Sequence, residues 1–217
     1  MALQVHPDIR SLRPYVPGKP IDELQRELGL TRVIKLASNE NPLGPSPRVV
    51  EALRKEAERA HLYPDGGSTA VREAIGRKLG VSPEWIMAGN GGDEIISIIA
   101  RATFEPGDEI LMPHPSFEPY SIEARLSGAT PVPSPLKGYE TDLDDLLKRV
   151  TARTKVVFLC TPHNPATTIV RRGPLDRFLS ADMRYGTIVT LFRGYSHDII
   201  MNAIDTGKEW AANHSGG

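Results

Sequence analysis

The residues best suited to chemistry stand at Gly89-Asn90-Gly91-Gly92-Asp93-Glu94. Glycines let the backbone pass close to an anion, and the first amides of a helix opening there have no intrahelical acceptors and point outward from its positive end. Trp85 to Ala88 reads as a short strand, and Ile95, Ile96, Ile98, Ile99 and Ala102 read as a buried helix, so the stretch describes strand, tight turn, helix. Such a turn can cradle a phosphate. It also fits an Asn-Gly turn between two core elements, with Asp93 and Glu94 merely suited to the helix dipole. A second candidate is Thr161-Pro162-His163-Asn164-Pro165, a polar turn directly after Val156 to Cys160. That run is apolar without alternation, which marks a central strand, and ligands of open α/β sheets bind beyond the carboxyl ends of such strands.

The elements that must position these turns follow from periodicity. Residues 1 to 46 are rich in proline and carry one short amphipathic helix, Ile21 to Leu28, which makes them an arm. Ser46-Pro47 is a helix start, Tyr63-Pro64-Asp65-Gly66-Gly67 closes that helix, and Ser68 and Thr69 can cap the next, which Gly80 ends. Beyond the glycine turn the pattern alternates. Strands are expected at Glu109 to Met112, Thr130 to Val132, Lys155 to Cys160 and Thr187 to Phe192, and helices at Phe117 to Leu126, Leu143 to Val150 and Pro174 to Leu179. Interleaved short strands and amphipathic helices predict an α/β fold with a mainly parallel sheet covered on both faces. The pattern fades after Ser196, and the tail reads as irregular.

Composition excludes some classes. With 26 basic against 27 acidic residues and no long block of either sign, neither nucleic acid nor an anionic membrane surface is the expected partner. The single cysteine, Cys160, rules out an internal disulfide or a multi-cysteine metal site and suits the cytoplasm. No stretch approaches the roughly 20 apolar residues that span a bilayer.

Taken together, six blocks in order resemble the pyridoxal-phosphate aminotransferases of fold type I, and are most similar to the histidinol-phosphate aminotransferase family. They are Leu12 to Pro20, Lys35 to Gly44, Tyr63 to Gly66, Gly89 to Glu94, Pro115 to Tyr120 and Thr161 to Pro165. The resemblance covers residues 10 to 170 strongly and 171 to 200 weakly. It implies a three-layer α/β/α large domain over residues 47–200, preceded by an arm and part of a small lobe over 1–46 and followed by a tail over 201–217. It implies pyridoxal 5'-phosphate as cofactor, with Gly92, Asp93 and Glu94 at its phosphate, Phe117 stacked on its ring and Asn164 and Tyr195 at its phenolic oxygen. It places Tyr63 at the phosphate of a neighbouring subunit in a homodimer, and Tyr15 and Asn41 over the substrate. From the residues alone, Phe117 reads as core, Asn164 as a turn asparagine, Tyr63 as a surface tyrosine, and Tyr15 and Asn41 as parts of a proline-rich arm.

The function the resemblance implies is amino transfer between a small-molecule amino acid, glutamate, and the phosphorylated keto substrate imidazole-acetol phosphate in histidine biosynthesis. Two alternatives stand beside it: an inactive remnant of the fold, and a related enzyme such as a threonine-phosphate decarboxylase. The remnant reading rests on three departures from the family pattern. No lysine after Lys155 except Lys208 is present to bind the cofactor aldehyde covalently, so no catalytic residue is assigned. Phe192 takes the place of the carboxylate that holds the pyridine nitrogen protonated, ahead of Arg193, Gly194 and Tyr195. Ala166-Thr167-Thr168 stands where the family has threonine and glycine. The expectation is a missing or degenerate C-terminal half, with apolar helix faces and a sheet edge left exposed.

Overall fold

The computed structural model describes residues 7–13, 17–36, 38–171 and 187–191, with residues 7, 8 and 187–191 described by backbone alone. The helices are α1 (Pro7–Ser11), α2 (Ile21–Leu28), α3 (Pro47–Ala57), α4 (Thr69–Leu79), α5 (Gly91–Thr103), α6 (Pro119–Leu126) and α7 (Leu143–Arg149). Four strands, β1 (Glu109–His114), β2 (Thr130–Pro135), β3 (Thr154–Cys160) and β4 (Thr187–Leu191), form one parallel sheet in the order β2-β1-β3-β4. The expected helix over Pro174 to Leu179 lies outside the described residues.

Side chains alternate across the two central strands, and each set finds a helical layer. Ile110, Met112, Val156, Phe158 and Cys160 join Ile96, Ala100 and Phe104 of α5 and its end and Tyr120 and Ala124 of α6 in one cluster. Leu111, Val157 and Leu159 turn the other way and pack with Leu146 of α7. Burial on both faces is why these strands read as continuous apolar runs. The rings of Tyr120 and Phe158 stack at 4.3 Å, and Phe104 meets Phe158 edge-on at 6.3 Å.

The amino ends of the central strands are fastened by one buried acid. Glu109, 7% exposed, accepts a 2.5 Å hydrogen bond from Thr151 Oγ1 and a two-pronged contact from the Arg153 guanidinium. These donors, Thr151 first, hold its carboxyl below the usual glutamate range against the opposing effect of burial.

Among the described residues strand β2 is bonded only to β1, and its sequence suits an edge. Thr130 N–H donates to Asp108 O at 2.8 Å and Leu136 N–H to His114 O at 3.2 Å, so even-numbered positions turn their amides toward β1. Pro131, Pro133 and Pro135 occupy the alternate positions, where a donor would face outward. An edge with outward carbonyls but no outward donors forms only half of a ladder, which discourages pairing with another strand.

Two local expectations change. Trp85 to Ala88 is not a strand: Pro83–Trp85 is a 3₁₀ turn, Ile86 is extended, and no described strand pairs with the segment. Strand formation needs a ladder partner, and extended backbone alone does not supply one. Helix α4 is not capped by the side chain of Ser68, which sits at φ 48°. Asp65 takes that task, accepting from Gly67 N–H at 2.9 Å and Thr69 N–H at 2.7 Å, and these amides, Thr69 foremost, lower its pKa. The predicted start at Ser46 holds, its hydroxyl accepting from Val49 N–H.

Among the described residues α2 and α3 bury none of their own. Val49 and Leu53 of α3, Leu36, Leu43, Tyr63 and Trp85 all lie open to solvent.

Candidate functional site

Helix α5 runs back alongside the sheet before β1, and the lengths decide where its first turn lies. Thirteen residues of helix rise about 20 Å at roughly 1.5 Å each. The 6 residues of β1 extend about 20 Å at roughly 3.3 Å each. With only residues 104–108 between them, the N-terminus of α5 comes level with the carboxyl end of β1. The helix is held against its neighbour by Ser97 Oγ, which donates to Glu123 of α6 at 2.6 Å.

The turn into α5 is built as an anion cradle requires. Gly91 sits at φ 77°, a conformation that side chains resist, and its amide bonds back to Gly89 O at 2.9 Å. A Cβ on Gly92 would meet no heavy atom within 4 Å beyond its chain neighbours and its own helix, so the space beside this residue is open. Gly92 and Asp93 are both exposed. Glu94 reaches back to accept from the Asn90 amide, as a capping-box acid does from one residue earlier, and so holds the turn closed.

The carboxyl ends of β1 and β3 supply the other side of the site. Three residues past β1, Phe117 is half-buried and meets Tyr120 edge-on with centroids 5.7 Å apart. Four residues past β3, Asn164 is half-buried in a turn, and no hydrogen bond holds its side chain among the described residues. His163 beside it is 2% exposed. Its Nδ1 accepts from Ala166 N–H at 3.2 Å, and burial pushes its pKa down. Thr167 follows at φ 60°, in the left-handed region that a β-branched residue resists.

Four buried polar atoms lack partners among the described residues: Ser116 Oγ, Tyr120 Oη, Thr141 Oγ1 and His163 Nε2. Each stands on a connection leaving the carboxyl end of a strand or in the first turn of α6. Buried polar atoms are ordinarily bonded, so this edge is where the chain leaves its polar groups unanswered. Tyr120 faces the Cys160 thiol, and burial above all drives its hydroxyl far above the usual phenol range. It is a proton-bearing group at any physiological pH.

The structure therefore brings Gly92, Asp93, Glu94, Phe117 and Asn164 to one edge of the sheet. Tyr63 is fully exposed and belongs to the solvent-facing apolar surface. Asn41 closes its own turn, accepting from Leu43 N–H at 3.0 Å and donating to Gly44 O at 3.4 Å. Tyr15 and Tyr195 lie outside the described residues, as do Phe192 and Lys208. The cavity of about 390 Å³ between Gly66–Ser68 and Glu84–Ala88 borders the glycine turn but is lined by none of the candidate residues. His163, Ser116, Tyr120 and Asp65 were not singled out from sequence, although all four lie within or beside the quoted blocks.

This three-layer sheet with a glycine turn at its carboxyl edge is the architecture of the fold type I pyridoxal-phosphate-dependent enzymes. The crystal structure of histidinol-phosphate aminotransferase from Sinorhizobium meliloti in complex with pyridoxal-5'-phosphate superposes with a TM-score of 0.77 at 26% identity, covering 88% of this chain and 51% of that one. The aminotransferase class I and II family model matches residues 31–191, and the chain belongs to that family. The histidinol-phosphate aminotransferase of Moorella thermoacetica is 46% identical over 188 residues, which are 87% of this chain and 48% of that protein. The L-threonine-O-3-phosphate decarboxylase of Porphyromonas gingivalis matches with a TM-score of 0.56 at 21% identity over 67% of this chain and 44% of its own, a likeness of fold alone. The chain spans about half the length of the curated relative it matches. No helix among the described residues is long and apolar enough to cross a membrane.

Proposed function

We propose that this chain binds pyridoxal 5'-phosphate as part of a histidinol-phosphate type aminotransferase, which moves an amino group between glutamate and imidazole-acetol phosphate. The observation that carries the reading is the single edge holding an open turn of helix amides, a half-buried aromatic and an unbonded asparagine. The residues present fit the group. Gly92 and Asp93 would bind its phosphate through main-chain amides at the positive end of α5, with Glu94 holding their turn. Phe117 would cover one face of its ring and exclude water there, kept upright by Tyr120. Asn164 would donate to the phenolic oxygen, a task an amide performs without titrating. Tyr195 would join it from outside the described residues. When bound, the cofactor supplies an electron sink for charge at the substrate's alpha carbon.

Tyr63, with the apolar stripes of α3 and its surroundings, would face a second copy of the chain and reach that copy's phosphate site. Asn41 and Tyr15 would lie over the amino-acid substrate. The division into an arm (1–46), a large domain (47–200) and a tail (201–217) and a cytoplasmic location complete the reading. Identity with the M. thermoacetica enzyme supports the amino-transfer reading over a decarboxylase.

The test is titration of the purified chain with pyridoxal phosphate, followed by an amino-transfer assay with glutamate as donor. Saturable binding that Asn164→Ala and Gly92→Val both weaken supports the reading. A visible band abolished by borohydride would reveal a covalent lysine, and saturable binding without that band or transfer would support the remnant reading for this chain. Absence of saturable binding contradicts the cofactor reading, and amino transfer by this chain contradicts the remnant reading.

A further inference from the structure

We propose that His163 is a positioning residue for Asn164: its buried imidazole pins the turn that aims the asparagine's amide at the cofactor ring. The inference rests on the cofactor site proposed above and assigns a role to a residue that makes no contact with that group in the reading.

Among the described residues, no hydrogen bond to its side chain guides Asn164, so the direction of the amide is set by the backbone at 163–166. Three hydrogen bonds converge on His163. Its N–H donates to Thr168 O at 2.8 Å, its carbonyl accepts from Thr167 N–H at 2.6 Å, and its Nδ1 accepts from Ala166 N–H at 3.2 Å. The last is the bond an Asn, Asp or Ser makes when it caps a turn three residues ahead, here made by a ring too buried to swing away.

The ring's state suits this task. An Nδ1 that accepts an amide hydrogen leaves the proton of a neutral imidazole on Nε2, and burial favours the neutral ring. That Nε2–H is buried without an acceptor among the described residues, a penalty that an apolar side chain filling the same space would avoid. Among the described residues the ring's one hydrogen bond is therefore the one at Nδ1. The outer ends of the loop are anchored without it: Thr161 Oγ1 accepts from Val170 N–H at 3.0 Å, and Thr168 Oγ1 donates to Tyr139 O at 2.8 Å. Removing the ring should loosen residues 164–166 and leave 168–170 in place.

The test begins on the unaltered protein, where nitrogen-15 NMR of the imidazole should show the Nε2–H tautomer. The Nδ1–H tautomer would overturn the proposal whatever any variant does. His163→Leu should speed hydrogen exchange of the Ala166 amide by about three- to tenfold, the worth of one hydrogen bond, with the Val170 amide unchanged. His163→Asn, which restores an acceptor, should restore protection. In equilibrium binding of pyridoxal phosphate, His163→Leu should weaken affinity by a factor similar to Asn164→Ala, and the double variant should be no weaker than Asn164→Ala alone. Binding of inorganic phosphate should be unchanged. Additive losses in the double variant, or unchanged exchange at Ala166, would overturn the proposal. If Asn164→Ala alone leaves cofactor binding intact, the cofactor reading of Asn164 fails, and the aiming role fails with it, while exchange at Ala166 still reports whether the pin exists.

Discussion

Thr167 offers the sharpest energetic test of the turn after β3. It is exposed, β-branched and held at φ 60°, and its amide donates to His163 O. A residue with a Cβ in the left-handed region is disfavoured by roughly 1–2 kcal/mol, and branching at Cβ places threonine toward the upper end. Glycine removes that strain but loses roughly 0.5–1 kcal/mol to the greater freedom of the unfolded chain. Thr167→Gly should therefore stabilise the fold by about 1 kcal/mol. In a chain of this size that raises the melting temperature by roughly 2–4 °C and the urea midpoint by about 0.5 M at an unchanged slope of about 2 kcal/mol/M. Thr167→Ala is the control. It removes the same exposed side-chain atoms but keeps the Cβ, so it should recover only a small part of the gain. Equal stabilisation by alanine and glycine, or destabilisation by glycine, would refute the argument that backbone strain is stored at this position.

The acid at the opposite edge should make stability depend on pH. Glu109 has a lowered pKa in the folded chain, so its contribution is complete above the ordinary glutamate value and is lost as pH falls through the folded value. Glu109→Gln should cost about 1–3 kcal/mol near neutral pH, and the gap to the parent in urea titrations should close in acid. A gap that is constant with pH contradicts the pairing with Thr151 and Arg153. At the sheet edge, replacing Pro131, Pro133 and Pro135 together by threonine restores three outward donors. Sedimentation at rising concentration should show more self-association than the parent, and identical profiles would remove the edge-blocking role.

How far the sequence could be read depended on whether the decisive neighbours were close in the chain. The unbroken apolar run Val156 to Cys160 reported burial on two faces because that pattern is local to the strand. Trp85 to Ala88 looked like a strand for the same local reason, but a strand exists only where a partner offers a ladder, and no described strand does so. The cap of α4 was misplaced because Ser68 sits in the expected position, whereas the acceptor that bonds is Asp65, folded over Gly66 and Gly67 in an Asx turn. Glu94 illustrates the same limit, since a composition suited to a helix dipole does not reveal that its carboxylate returns to Asn90. In the turn after β3, the departure at Ala166-Thr167-Thr168 was visible, but its energetic meaning needed the positive φ at Thr167. His163 could have been noticed as the one titratable residue between two prolines at the end of a buried strand. Its Nδ1 bond to Ala166 is a fact of geometry alone.

On the proposed reading, the glycine turn at the carboxyl edge holds a cofactor's phosphate through main-chain amides. The direct measurement compares equilibrium binding of pyridoxal phosphate and phosphate-free pyridoxal to the parent chain and to Gly92→Val, with melting temperature recorded for both proteins. Space over Gly92 is open, so the added side chain should leave the fold's stability nearly unchanged while crowding an anion off the amides. The parent should prefer the phosphate form by at least about tenfold, the worth of one charge-assisted hydrogen bond, and Gly92→Val should lose that preference at an unchanged melting temperature. Equal affinity of the parent for both forms, or a preference that survives in the variant, would contradict it.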